Sequence, residues 1–126
     1  MRDVLVIEDD ELMRTLVREW LTQAGYRVRE ASNGEAAIQK LAEEQVALVI
    51  TDMQMPRRDG AQTLHWLRQE RAATPVIAMS GCFGTGRRYS REGALAMGAR
   101  RVLAKPFTQA ELLEAVHALI GAASPA

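Results

Sequence analysis

A single cysteine, Cys82, leaves no internal disulfide and excludes the stapled scaffolds of small secreted proteins. Aromatic residues are scarce, at 5% of the chain, which argues against a stacking platform for single-stranded nucleic acid. Charge of one sign is lacking as well: sixteen basic side chains balance sixteen acidic ones, so no general field draws the chain to nucleic acid or an anionic membrane. No apolar run approaches the length needed to cross a bilayer, and the N-terminus carries no signal-peptide pattern. The expected setting is a reducing cytoplasm. The two histidines, His65 and His117, have no second His or Cys at ligand spacing, which argues against a zinc site.

What remains is an ordinary globular chain of 126 residues, 48% apolar and 25% charged. That is enough for one domain with one core and leaves no room for a second. The expected unit runs over residues 1–120, followed by a frayed tail at 121–126.

Val4-Leu5-Val6-Ile7 is a continuous apolar run that ends in Glu8-Asp9-Asp10-Glu11, as in a buried strand whose polar end emerges at a sheet edge. Met13, Leu16, Val17, Trp20 and Leu21 then make a helical stripe, with Asp10 as its cap and Gly25 as its stop. Tyr26 to Ala31 alternates in part and suits an edge strand. Ser32-Asn33-Gly34 turns into a helix from Glu35 to Glu44 that buries Ala37, Ile38 and Leu41. Val46 to Ile50 is the second strong apolar run and delivers Thr51 and Asp52 at its end. After a loop from Met53 to Gly60, a helix over about Ala61 to Arg68 turns Leu64 and Leu67 inward. A strand from Pro75 to Met79 ends in Ser80-Gly81 and a glycine-rich loop. A fourth helix spans roughly Tyr89 to Met97. Val102 to Ala104 is a short strand before Lys105-Pro106-Phe107, and Thr108 to about Ile120 is the last helix. Strands alternating with helices in so short a chain specify an α/β fold: a parallel sheet covered on both faces.

In such a sheet the strand ends share one edge, so Glu8, Asp9, Asp52, Ser80 and Lys105 converge although they lie far apart in sequence. Crowded carboxylates stay ionised most readily around a hard divalent cation with oxygen ligands, and Mg²⁺ fits best. A lysine opposite them offsets charge or binds a phosphoryl oxygen, a serine hydroxyl donates to the same oxygen, and a carboxylate can itself accept the group. A dinucleotide site is excluded, because acidic residues stand where the glycine-rich turn would be; no P-loop or nucleophile elbow is present.

Taken with these motifs, the chain resembles the receiver domains of bacterial response regulators over nearly its whole length. The resemblance implies a doubly wound (βα)5 sheet in the flavodoxin-like order 2-1-3-4-5. It implies Asp52 as phosphoacceptor, Asp9 as direct metal ligand, Glu8 as a ligand acting through water, and the backbone carbonyl of Gln54 as a further ligand. Ser80 and Lys105 match the hydroxyl and lysine that contact the phosphoryl group, and the peptide bond before Pro106 is expected to be cis. Mg²⁺, with Mn²⁺ as a substitute, is the implied cofactor. A sensor histidine kinase or histidine phosphotransfer protein is the implied donor, with a downstream protein target and no direct nucleic-acid or membrane partner. The chain is then a free-standing signalling relay rather than a metabolic enzyme, and its product is its own modified state.

One position departs from the pattern. Val102, three residues before Lys105, stands where the family usually carries a switching aromatic. It supports an alternative in which the fold serves as a phosphorylation-independent scaffold. A Mg²⁺-dependent phosphatase is a third reading, which lacks a second general acid. In isolation, Asp52 would be a strand-end turn residue, Asp10 a helix cap, Lys40 a solvated lysine and Trp20 a packing residue. The arginine pairs at 57–58, 87–88 and 100–101 read as solvated surface, with Arg87, Arg88 and Arg91 available to a partner face.

Overall fold

A computed structural model describes residues 3–53, 60–81 and 91–121 of the chain. Its elements alternate throughout: β1 (Asp3–Ile7), α1 (Glu11–Gln23), β2 (Arg27–Ala31), α2 (Gly34–Glu43), β3 (Leu48–Asp52), α3 (Gly60–Glu70), β4 (Val76–Ser80), α4 (Arg91–Ala96), β5 (Arg101–Ala104) and α5 (Gln109–Ile120). The strands are all parallel, in the order β2-β1-β3-β4-β5. This is the expected order.

The apolar runs are continuous because both faces of the sheet are covered. Leu5, Ile7, Val49 and Ala78 point to one face and pack with Ala37 and Leu41 of α2, Leu64 and Leu67 of α3 and Ala94 of α4. Their neighbours Val4, Val6, Ile50, Ile77 and Met79 point to the other, where Val17 and Leu21 of α1 meet Leu112 and Val116 of α5. Strand side chains alternate between faces, so two hydrophobic layers need an apolar residue at every position. At the sheet edge β2 is more exposed, as its partial alternation implies.

Helix ends follow from local chemistry. The Asp10 carboxylate caps α1 by accepting from the backbone N–H groups of Leu12 and Met13, and Gly25 stops it at a φ of 97° that favours glycine. Thr108 and Glu111 form a reciprocal capping box at the start of α5.

Four expectations need correction. β3 ends at Asp52 as expected but begins at Leu48 rather than Val46, because its pairing with β1 begins at Val4 opposite Leu48; Val46 is only half-buried on the approach. α3 continues to Glu70. Leu16 is 41% exposed although it falls on the apolar stripe of α1, since only Val17 and Leu21 of that stripe reach the sheet's interior. Ile38 is half-buried. Residues 54–59, 82–90 and 122–126 lie outside the described residues, and with them Gln54, Cys82, the Arg57-Arg58 and Arg87-Arg88 pairs, the start expected for α4 and the expected tail. Among the described residues no helix is long and apolar enough to cross a membrane.

Candidate phosphoacceptor and metal site

The ends of β1, β3, β4 and β5 meet at one edge of the sheet. Glu8 follows β1 directly, and its backbone N–H donates to the Ala31 carbonyl at 3.0 Å, which extends the β1–β2 ladder by one step. Asp52 is the last residue of β3 and stands opposite Met79 of β4. Ser80, fully buried, closes β4 and pairs with Ala104 of β5. The Lys105 N–H then donates to the Ser80 carbonyl at 2.9 Å, so the backbone sets the lysine beside the end of β4. The Lys105-Pro106 peptide bond is cis, as the resemblance implied. Phe107 anchors the next residue by meeting Trp20 edge-on, with ring centroids 6.4 Å apart.

Glu8, Asp9 and Asp52 each bring one carboxylate oxygen to within 4.8 Å of the others. Their surroundings differ: Glu8 and Asp52 are buried and Asp9 is exposed. The Lys105 ammonium donates to Glu8 Oε1 at 2.7 Å and to Asp52 Oδ2 at 3.2 Å, so one cation bridges the two buried carboxylates. The second Glu8 oxygen accepts from the Asp10 N–H at 3.1 Å.

Burial is the main force on the Glu8 carboxyl and pushes it up to about 7, aided by the Asp52 charge and opposed by the Lys105 hydrogen bond. Burial also acts to lower the Lys105 ammonium. The Glu8 hydrogen bond and the charges of Asp52 and Glu8 outweigh it and hold that pKa above the ordinary lysine value. The arrangement is thus a compact acidic site with its own internal counter-charge.

The donor set suits a hard cation. Opposite oxygen ligands of an octahedral Mg²⁺ lie about 4 Å apart, close to the spread of the three carboxylates here. No nitrogen or sulfur ligand competes for a softer metal among the described residues of this cluster.

One contributor escaped the sequence reading. Arg14 of α1 donates from Nη1 to the Glu8 carbonyl at 2.9 Å and from Nε to Glu30 at 3.1 Å, tying the acidic turn to both α1 and β2. An arginine in a helix carries no signal of that role, because its acceptor is a backbone atom six residues away.

Comparisons with known proteins agree with this geometry. A sequence model described as "Response regulator receiver domain" matches residues 4–117. The chain is 35% identical over 121 residues to the transcriptional regulatory protein GltR of Pseudomonas aeruginosa, covering 94% of this chain and 49% of GltR. It is 33% identical to the transcriptional regulatory protein ResD of Bacillus subtilis, covering 96% and 49%. The chain therefore spans about half the length of these curated relatives. Among solved structures it superposes on the receiver domain of the Pseudomonas aeruginosa sensor histidine kinase PA1611, which holds a magnesium ion in its active site cleft. That match has a TM-score of 0.86 and 28% identity over 95% of this chain and 98% of that one. The Vibrio cholerae chemotaxis protein CheY4 matches with a TM-score of 0.85 and 26% identity over 94% and 98%.

Proposed function

The chain belongs to the response regulator receiver family, and from that premise we propose that Asp52 accepts a phosphoryl group from the phosphohistidine of a sensor kinase or phosphotransfer protein. As a family member it is a signalling phosphoacceptor rather than a metabolic enzyme. The observation that carries the reading is the placement of the Lys105 ammonium between Glu8 and Asp52 at the edge where the three carboxylates meet.

In this reading an Asp52 carboxylate oxygen attacks the phosphorus in line; a P–O bond forms, the P–N bond breaks, and the donor imidazole leaves. Glu8, Asp9, Asp52 and the Gln54 carbonyl are the proposed ligands of Mg²⁺, or of Mn²⁺ in its place. When bound, that cation offsets the charge of the carboxylates and of the phosphoryl oxygens. Lys105 leaves its Asp52 contact as that oxygen is esterified and donates to the phosphoryl group, with Ser80 donating from the β4 side. Glu8 keeps a hydrogen bond from the Asp10 N–H whichever way the lysine turns. The new charge biases an existing conformational equilibrium and alters binding of a downstream protein. The proposed compartment is the cytoplasm, and the proposed receiver unit is 1–120.

Intact-protein mass after exposure to a small phosphodonor tests the proposal. The expected result is one added phosphoryl group that requires both Mg²⁺ and Asp52, and is absent from Asp52→Asn. No adduct in a rapidly quenched sample would overturn it and favour the scaffold reading that Val102, buried in β5, supports.

A further inference from the structure

At the opposite end of the sheet, where β4 and β5 begin, lies a cleft of about 240 Å³. Leu67, Val76 and Gly98 line it together with three arginines, Arg68, Arg71 and Arg100, and the Arg71 guanidinium reaches toward a neighbouring depression through its bond to the Leu41 carbonyl. None of the cleft's lining residues is acidic; Glu70 borders the neighbouring depression, which Arg71 also lines.

These arginines differ from those of α1 and β2. Arg14, Arg18, Arg27 and Arg29 each lie 3.1–3.7 Å from a carboxylate. Among the described residues, Arg68, Arg71 and Arg100 make no such ion pair, so positive charge collects here in a chain whose total charge is zero. Two of the three are also held in place by neutral acceptors. Arg71 donates to the Leu41 carbonyl at 2.7 Å and to the Glu70 carbonyl at 2.9 Å, and its guanidinium lies 5.7 Å from the centre of the Trp66 ring. Arg68 donates to the Met97 carbonyl at 3.4 Å. Its stem lies across Gly98, where an added Cβ would collide with Arg68 Cδ. Carbonyls satisfy hydrogen bonds but leave the formal charge unbalanced, and orientation before binding lowers the entropy cost of capture.

We propose that this cleft binds a compact phosphoryl anion of more than one negative charge, of the diphosphate class. Guanidinium forks approaching from separate elements suit tetrahedral phosphoryl oxygens better than a single planar carboxylate. The apolar inner wall reduces screening of the contact. The volume suits a diphosphate and is small for the body of a drug-sized ligand. The site is independent of Asp52, which lies at the far end of its strand.

Trp66 supplies the reporter. Pyrophosphate is titrated in EDTA, which keeps the acidic site free of metal, with Trp66 fluorescence followed in a Trp20→Phe background. The expected result is a saturable change, with affinity weakened tenfold or more in Arg68→Ala/Arg100→Ala and unchanged in Asp52→Asn. Circular dichroism and thermal unfolding establish that each variant is folded, and calorimetry on the unaltered chain repeats the affinity without the reporter. A parallel titration with a nucleoside diphosphate separates the sources: equal affinity assigns recognition to the diphosphate, and tighter binding adds the nucleoside. Absence of saturation in calorimetry, equal affinity in the double arginine variant, or loss of binding in Asp52→Asn would overturn the proposal.

Discussion

Lys105 and Glu8, ninety-seven positions apart in sequence, form an ion pair of 2.7 Å that joins the end of β5 to the end of β1. Removal of the ammonium leaves two buried carboxylates facing one another. Lys105→Ala is expected to slow adduct formation on Asp52 by about a hundredfold, the loss that follows removal of one preorganised donor. Quenched time courses with a phosphodonor at saturating Mg²⁺ measure it; a rate within threefold of the unaltered chain would refute the assigned role.

Proton and cation compete for Glu8. In the metal-free chain this carboxyl is raised to about 7, so near neutral pH Mg²⁺ uptake displaces a proton and apparent affinity climbs with pH until Glu8 is fully ionised. The same shift has a consequence for stability. The metal-free fold holds this proton more tightly than the unfolded chain, so the contribution of Glu8 is fully present below the ordinary value of 4.5 and is lost as pH rises through about 7. Calorimetric Mg²⁺ titrations in buffers of different ionisation enthalpy count the protons, and thermal unfolding in EDTA follows the stability trend.

Asp52→Asn removes the charge that, after burial, raises Glu8. The expected outcome is a lower Glu8 pKa in the metal-free variant, together with loss of the phosphoryl adduct. Carboxyl carbon chemical shifts across a pH series provide the measurement, and an unmoved Glu8 titration would contradict the coupling.

Asp10 offers a control beside the site. Its side chain caps α1, whereas its contribution to Glu8 comes from its backbone N–H, which any replacement other than proline keeps. Asp10→Ala is expected to cost about 1 kcal/mol of stability through the lost cap and to leave Mg²⁺ affinity within twofold. Urea unfolding and metal titration of the same sample distinguish a cap from a ligand.

Gly98 holds a φ of 116° and lies under the stem of Arg68. Gly98→Ala therefore meets both backbone strain and a displaced side chain, and is expected to destabilise the fold by roughly 1–3 kcal/mol. Chemical denaturation measures it; a neutral result would show that the turn relaxes.

Much of the fold was legible because a sheet covered on both faces leaves little freedom. The run Val4 to Ile7 can only be a buried strand, and the acids after it can only emerge at a strand end. The start of β3 was set two residues early because its register depends on β1 and β4, whereas Val46 and Ala47 are apolar enough to pass for strand. Leu16 misled for a related reason: a helical period identifies a stripe but not how much of it the sheet can reach. The convergence of Glu8, Asp9, Asp52 and Lys105 followed from parallel topology. The lysine bridge and the Arg14 tie did not, since each depends on side-chain reach across elements remote in sequence.

The order of the strands has a further consequence for how the site comes into being. Its groups are supplied by β1, β3, β4 and β5, so no contiguous fragment that lacks either the first or the last strand contains it. Local opening of β5, which is an edge strand, would separate Lys105 from Glu8 while the rest of the sheet stayed paired. Chemical competence is therefore a property of the completed topology, and it should be the last feature to appear on folding and the first to vanish when β5 detaches.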